Sequence, residues 1–166
     1  MLGQAMLKTM FAYNATVNAR VLELAASLSD ADLDAPTNYA HGSIRGTLAH
    51  LLRVQWSWRA AVETHLPPTS APAISGTSSI AELRAFAQAE ADAIDAWLAA
   101  QSETDLATPF PSKYGDQEFE ILPWHALTQI LFHNMQHRSE IALWLTEKGH
   151  SPGDLDFIYF ADPSMG

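Results

Sequence analysis

Two histidines, His133 and His137, stand four residues apart in the apolar stretch from Pro123 to Lys148, and a third, His50, stands in a second apolar stretch from Ser43 to His65. If both stretches are helical, His133 and His137 project from one face, one turn apart. Two imidazoles at that spacing can hold one metal ion. A third from a facing helix completes half an octahedron or three corners of a tetrahedron. At least one position then stays open to water or substrate, which separates a reactive metal site from a structural one. An i, i+4 histidine pair is common by itself, and a lone histidine on an apolar face is ordinarily a hydrogen-bonded core residue. Its surroundings strengthen the metal reading. At about 100° per residue, His133 and His137 fall among Ala126, Ile130, Ile141 and Trp144, while Phe132, Gln136 and Ser139 lie on other faces. His50 falls in line with Val54, Ser57 and Ala61, again an inward stripe. An imidazole turned into a core is costly unless something binds it.

Four helical stretches must position these rings. The first runs from about Leu2 to Leu28, with Met6, Met10, Tyr13, Val17, Val21, Leu24 and Leu28 at three- and four-residue steps, and Ser29-Asp30 ends it. The second opens at Ser43, an N-cap, and continues to about His65, where Pro67-Pro68 stops it. Residues 66 to 78, rich in Pro, Ser, Thr and Ala, read as a surface crossover. The third opens with Ser79-Ile80-Ala81-Glu82, a capping box, and runs to about Gln101. The fourth opens with Pro123 at the first helical position and ends at Gly149, a C′ residue. Between the third and fourth, Leu106 to Leu122 alternates Phe119 and Ile121 with Glu118 and Glu120, and Tyr114-Gly115-Asp116 supplies turn residues, so a short β-hairpin is predicted. The tail from His150 to Gly166 carries Leu155, Phe157, Ile158, Tyr159 and Phe160 and is too apolar to hang free; it packs on the bundle or on a partner. The fold class is therefore all-α, a single four-helix-bundle domain over residues 1–166 with long crossover connections and a short hairpin between helices three and four.

Composition narrows the chemistry. The 166 residues are 48% apolar, enough for one compact domain with a real core. Cysteine is absent, which excludes disulfides, a thiolate nucleophile and Cys-ligated zinc. A catalytic metal must use His or carboxylate, and thiol chemistry must use a small-molecule thiol. A formal charge of −10, with nine scattered basic residues, argues against nucleic acid. No segment reaches the roughly 18 apolar residues of a membrane span, and the first residues lack the basic start and apolar run of a signal peptide, so the expected location is the cytoplasm. Neither a Gly-rich phosphate loop nor a nucleophile elbow is visible.

With these motifs in view, the sequence resembles the DinB/YfiT-like metalloenzyme family, the damage-inducible DinB proteins in particular. The resemblance spans nearly the whole chain. It rests on Tyr13-Asn14, on Ser43-Ile44-Arg45-Gly46-Thr47-Leu48-Ala49-His50-Leu51, on His133-Asn134-Met135-Gln136-His137-Arg138-Ser139-Glu140, and on Leu155-Asp156-Phe157 followed by aromatics. It implies a four-helix bundle, often dimeric, that holds a divalent metal on three histidines matching His50, His133 and His137. Ser139 departs from the glycine that many relatives carry after the His-Arg step. The resemblance leaves the reaction open. Some similar proteins use the metal to activate a small thiol, as in mycothiol- or bacillithiol-dependent transferases.

The expected cofactor is one divalent transition metal, zinc or nickel, with a low-molecular-weight thiol as co-substrate, and the expected partners are a small-molecule substrate and a second copy of the chain, with neither nucleic acid nor membrane. A thiol-dependent transferase in stress or detoxification is the leading reading. Metal-assisted hydrolysis is the second, with Glu140, three residues after His137, as its sequence-level general base; an imidazole-orienting or ion-pair role for Glu140 is favoured over catalysis. A metal-stabilised binding or assembly module is the non-enzymatic alternative. Metal binding is expected to weaken below about pH 6.5, because imidazole must be neutral to ligate. Asn14 and Asn18 either face the metal cavity or lie at the surface. The large aromatics Trp56, Trp58, Trp124 and Trp144 read as core. His41, His65, His125 and His150 read as solvated residues near helix ends, with His125 a reserve ligand about 80° around the helix from His133. Arg53 reads as an ion-pair partner for one of the many acids.

Overall fold

The computed structural model describes residues 2–114, 116–162 and 164. Four long helices form the bundle: α1 (Leu2–Ala25), α3 (Ile44–Thr64), α4 (Ile80–Ala100) and α6 (Pro123–Glu147). Short helices α2 (Asp30–Leu33), α5 (Glu103–Leu106) and α7 (Phe157–Ala161) and the hairpin β1 (Phe110–Tyr114) and β2 (Gln117–Ile121) complete it. Helix α1 packs against α4 and α6, and α3 packs against the same two. The four helices thus close a ring in which each has two neighbours.

The caps lie where side-chain chemistry places them. Ser43 and Ser79 accept from Gly46 N and Glu82 N, and Glu82 reciprocates to complete the capping box. Pro123 opens α6. At its far end Gly149 adopts φ +84°, Gly149 N–H donates to Thr146 O, and His150 N–H donates to Leu145 O, a Schellman arrangement. The first helix is shorter than expected. It ends at Ala25 rather than Leu28, because Ser29 caps a separate turn, α2, instead of simply terminating α1. Arg45 then ties α2 to the bundle through Asp34 (2.7 Å) and Asp30 (2.5 Å). The hairpin pairs Phe110 with Ile121 and Ser112 with Phe119; Gly115 of its expected turn lies outside the described residues. The Phe110 end reaches the core. The tail packs on the bundle: Tyr13 O–H donates to Leu155 O at 2.5 Å, and the Tyr13 ring meets Phe157 and Phe160 edge-on.

The core is divided lengthwise. One apolar cluster gathers Val21, Leu22, Leu48, Leu52, Leu83, Ile141 and Leu145. Another gathers Leu7, Phe11, Ile94, Leu98, Leu127 and Ile130. Between them along the helices stand buried polar residues: Asn14 and Asn18 on α1, Gln55 on α3, Glu90 on α4, and Asn134, His137 and Arg138 on α6. A polar belt across the middle of a bundle is where side chains from facing helices build sites. Of the tryptophans, Trp144 is buried and Trp58 packs on two clusters, but Trp124 is exposed, against expectation, because it sits in the first turn of α6 outside the ring.

Candidate metal centre

Packing of α3 on α6 brings His50 face to face with the α6 pair. Nε2 of His50 lies 3.0 Å from Nε2 of His133. The His137 ring centre is 5.0 Å from that of His50 and 4.5 Å from that of His133. The three histidines singled out in the sequence therefore converge. Two neutral imidazoles cannot point lone pairs at one another across 3.0 Å without repulsion, so a proton or a cation belongs between them. Two nitrogens bound at right angles, each about 2.1 Å from one ion, lie about 3 Å apart, so the spacing suits a shared metal.

A fourth ring joins them. His41 stacks on His50 with centroids 3.5 Å apart and planes 18° apart, and approaches His137 to 5.0 Å. One nitrogen from each of His41, His50 and His137 falls within a 4.8 Å span, a group that could hold a metal ion. The expectation that His41 is merely solvated is thus corrected. The cause is a loop folded back over the first turn of α3. Thr37 N–H donates to Gly42 O, and Gly42 takes φ +76°. The His41 carbonyl lies so close to Gly46 that a Cβ there would sit 2.4 Å from its oxygen. A glycine inside a helix costs stability relative to alanine, and Gly46 was the one signal in the sequence that the preceding loop crosses this turn. The other histidines stay apart: His65 stacks on Phe110, exposed His125 rests on Trp124, and His150 lies beside Ser27. His125 is therefore not brought to the cluster.

Neighbours set the ring tautomers. Glu140 Oε2 lies 2.8 Å from His137 Nδ1, which fixes a proton there and leaves Nε2 with a free lone pair. Beside it, His133 Nδ1 and Asn134 Oδ1 are sealed side-chain atoms without a hydrogen-bond partner among the described residues. Burial lowers the His50 pKa to about 4, reinforced by His41, His133, His137 and Arg53. Burial also lowers His133 to about 4, reinforced by His137 and His41 and opposed by Asn134 and Glu140. His41 is lowered too, first by burial and then by His137. Rings that resist protonation at neutral pH are ready ligands, and the donor set suits a borderline transition metal.

Behind the histidines the polar belt is continuous. Asn134 Nδ2 donates to Gln55 Oε1 (2.7 Å) and to Asn14 Oδ1 (3.3 Å), and Asn14 Nδ2 donates to Gln55 Oε1 (3.2 Å). Arg138 donates to Asn14 Oδ1 and, at 3.1 Å, to Asn18 Oδ1. Asn14 and Asn18 are thus buried, not at the surface: their oxygens hold the guanidinium of the residue next to His137. Burial lowers the Arg138 pKa to about 10, which keeps it cationic at neutral pH. Ser139 is exposed and, among the described residues, donates to Met135 O of its own helix, so it leaves the ligand face untouched.

His41 and His50 line a cavity of about 490 Å³ together with Arg53, Val54, Ser57 and Gly76. Arg53 is exposed and makes no ion pair among the described residues, contrary to expectation; it sits at the cavity instead. None of the described helices is long and apolar enough to cross a membrane. Among curated proteins, no relative matches the chain. A family model, the DinB family, matches residues 1–164, and the chain accordingly belongs to the DinB family.

Proposed function

We propose that this protein is a metal-dependent enzyme that binds one divalent transition metal, zinc or nickel, on His50, His133 and His137, and that it transfers a small thiol to an electrophilic substrate. One observation carries this reading: His50, whose Nε2 lies 3.0 Å from Nε2 of His133, lines with His41 a cavity of about 490 Å³, so an ion held at His50 would lie beside space of substrate size. When bound, such a metal lowers the pKa of a coordinated thiol and stabilises its thiolate. Everything else falls to the chain. Glu140 holds the His137 ring through Nδ1 and so aims Nε2 at the centre. Arg53, free of carboxylate partners among the described residues, offers its guanidinium to an anionic group of the thiol or of the electrophile. Val54 and Gly76 add small apolar surface to a wall otherwise lined by His41, His50, Arg53 and Ser57. The absence of cysteine leaves the thiol to be supplied from outside.

Hydrolysis is the weaker reading, because Glu140, the carboxylate it would use as base, is already engaged by His137. The outer face of α6 favours self-association: Phe132, Met135 and Leu143 are each more than half exposed and recur at helical spacing, and we assign this face to a homodimer contact in the cytoplasm.

The test begins with metal content by mass spectrometry on untagged protein beside His50→Ala and His137→Ala. About one equivalent in the wild type, lost in both variants, is expected. Cobalt-substituted protein then distinguishes the enzyme from a structural module. A sulfur-to-metal charge-transfer band should appear when a small thiol is added; a spectrum unmoved by thiol means saturated coordination and refutes the transferase reading.

A further inference from the structure

A second cavity, of about 690 Å³, lies between α1 and α4 and contains none of the histidines. Its walls are alanines from both helices, such as Ala15 and Ala91, with Phe11 and Ile94 deeper. Its floor is formed by Asn14, Asn18 and Gln55, residues of the polar belt that are 1%, 4% and 3% exposed.

The amide orientations are dictated from behind. Asn18 turns its oxygen to Arg138, and Gln55 turns its oxygen to Asn14 and Asn134. Asn18 Nδ2 and Gln55 Nε2 are left without a protein acceptor among the described residues, and neither is among the sealed unpartnered atoms, so both open to the cavity. Two pre-oriented N–H₂ groups on buried residues seek an acceptor.

Charge selects which acceptor. Arg138 is buried and makes no ion pair with a carboxylate among the described residues; its positive charge lies one amide behind the floor. The bond of Lys8 to Asp95, and of Gln4 to the Leu98 carbonyl, set α1 and α4 antiparallel, which brings Arg84 level with the Asn18 end. Arg84 lines the cavity and makes no ion pair with a carboxylate among the described residues. The acids at the rim are engaged, Asp95 by Lys8 and Asp92 by Gln88. A buried cation without a counter-anion is unfavourable, and an anion at its side relieves it.

We propose that the α1–α4 groove is a second binding site, which takes a small carboxylate bearing a short apolar body. The carboxylate accepts from Asn18 Nδ2 and Gln55 Nε2 in the field of Arg138, and the alkyl portion lies on the alanine walls. The site uses residues distinct from the histidine centre and does not rest on the metal reading.

The probe is hexanoate, with hexanol as its uncharged counterpart, titrated into the full chain with zinc and without it. The readout is the side-chain N–H₂ signals of Asn18 and Gln55 in ¹⁵N spectra. Hexanoate should move both signals saturably, equally in the two metal states, and hexanol should bind about tenfold more weakly or worse. Gln55→Glu keeps the acceptor for Asn14 and Asn134 but presents a carboxylate to the groove. Ala15→Leu fills the groove without touching the belt. Each should lower hexanoate affinity at least about tenfold while circular dichroism and melting stay close to wild type. Should one variant misfold, the other decides. Equal response to hexanol, no saturable response to hexanoate, or a response retained in the folded variants overturns the proposal.

Discussion

Lowering the pH of the metal-free protein tests the packing of the histidine centre most directly. An imidazole with the ordinary pKa of about 6.5 is about 97% protonated at pH 5, whereas one at about 4 is about 10% protonated. His50 and His133 are both at about 4, chiefly through burial and then through neighbouring rings. Both should therefore still be neutral at pH 5. The consequence for metal binding is large. Two ordinary ligands would cost about three decades of affinity at pH 5, whereas two at about 4 cost roughly a tenth of a decade. The threshold of about 6.5 expected from the sequence thus moves down for these two rings. The sign for stability follows from linkage. The folded pKa lies below the unfolded value, so the unfolded chain binds more protons between about pH 6.5 and 4, and the metal-free fold loses stability as pH falls through that window. Above about pH 7 both states are neutral and these rings contribute no pH dependence. The assay is a long-range ¹H–¹⁵N titration of the imidazole nitrogens from pH 7.5 to 3.5, with His50→Ala and His133→Ala for assignment. Midpoints for His50 and His133 between 6 and 7 would refute the argument, since they would mean that half-burial and the neighbouring rings do not disfavour the charged form.

Other outcomes follow from the same contacts. Gly46→Ala should displace the His41 loop, because the added Cβ would meet the His41 carbonyl at 2.4 Å; loss of the His41–His50 ring-current shift with His133 unaffected is the expected signature, and an unmoved His41 signal counts against the loop geometry. Glu140→Gln should weaken metal binding by about 10–100-fold while leaving about one equivalent bound at saturation, since it removes the charged acceptor on His137 Nδ1; isothermal titration reads it, and an unchanged affinity means that Glu140 plays no orienting part. Glu90→Ala should cost about 3 kcal/mol in chemical denaturation, because it leaves Arg59, bonded to Glu90 at 2.7 and 3.0 Å, with only the exposed Glu63; a loss under about 0.5 kcal/mol would show that water screens the pair.

The sequence determined the elements and most of the caps, since these depend on local chemistry. Ser43 and Ser79 carry their acceptor side chains, Pro123 and Gly149 tolerate the backbone at the ends of α6, and the apolar period marks the inner face that carries His133 and His137. The pairing of His50 with that face was legible for the same reason: all three rings lie on inward stripes. Tertiary structure decided what depends on the approach of segments distant in the chain. His41 enters the cluster only because the loop before α3 folds over Gly46, and no period or cap encodes that crossing. Asn14 and Asn18 were ambiguous because a polar residue in a helix reads alike whether it meets water or a buried partner; the approach of α6 to α1 supplied Arg138. Among the described residues Arg53 lacks the acid expected for it, because the carboxylates abundant in composition are placed elsewhere by the packing of the four helices. Periodicity tells which face turns inward, but only the packed bundle determines which residues on two inward faces meet at the same height.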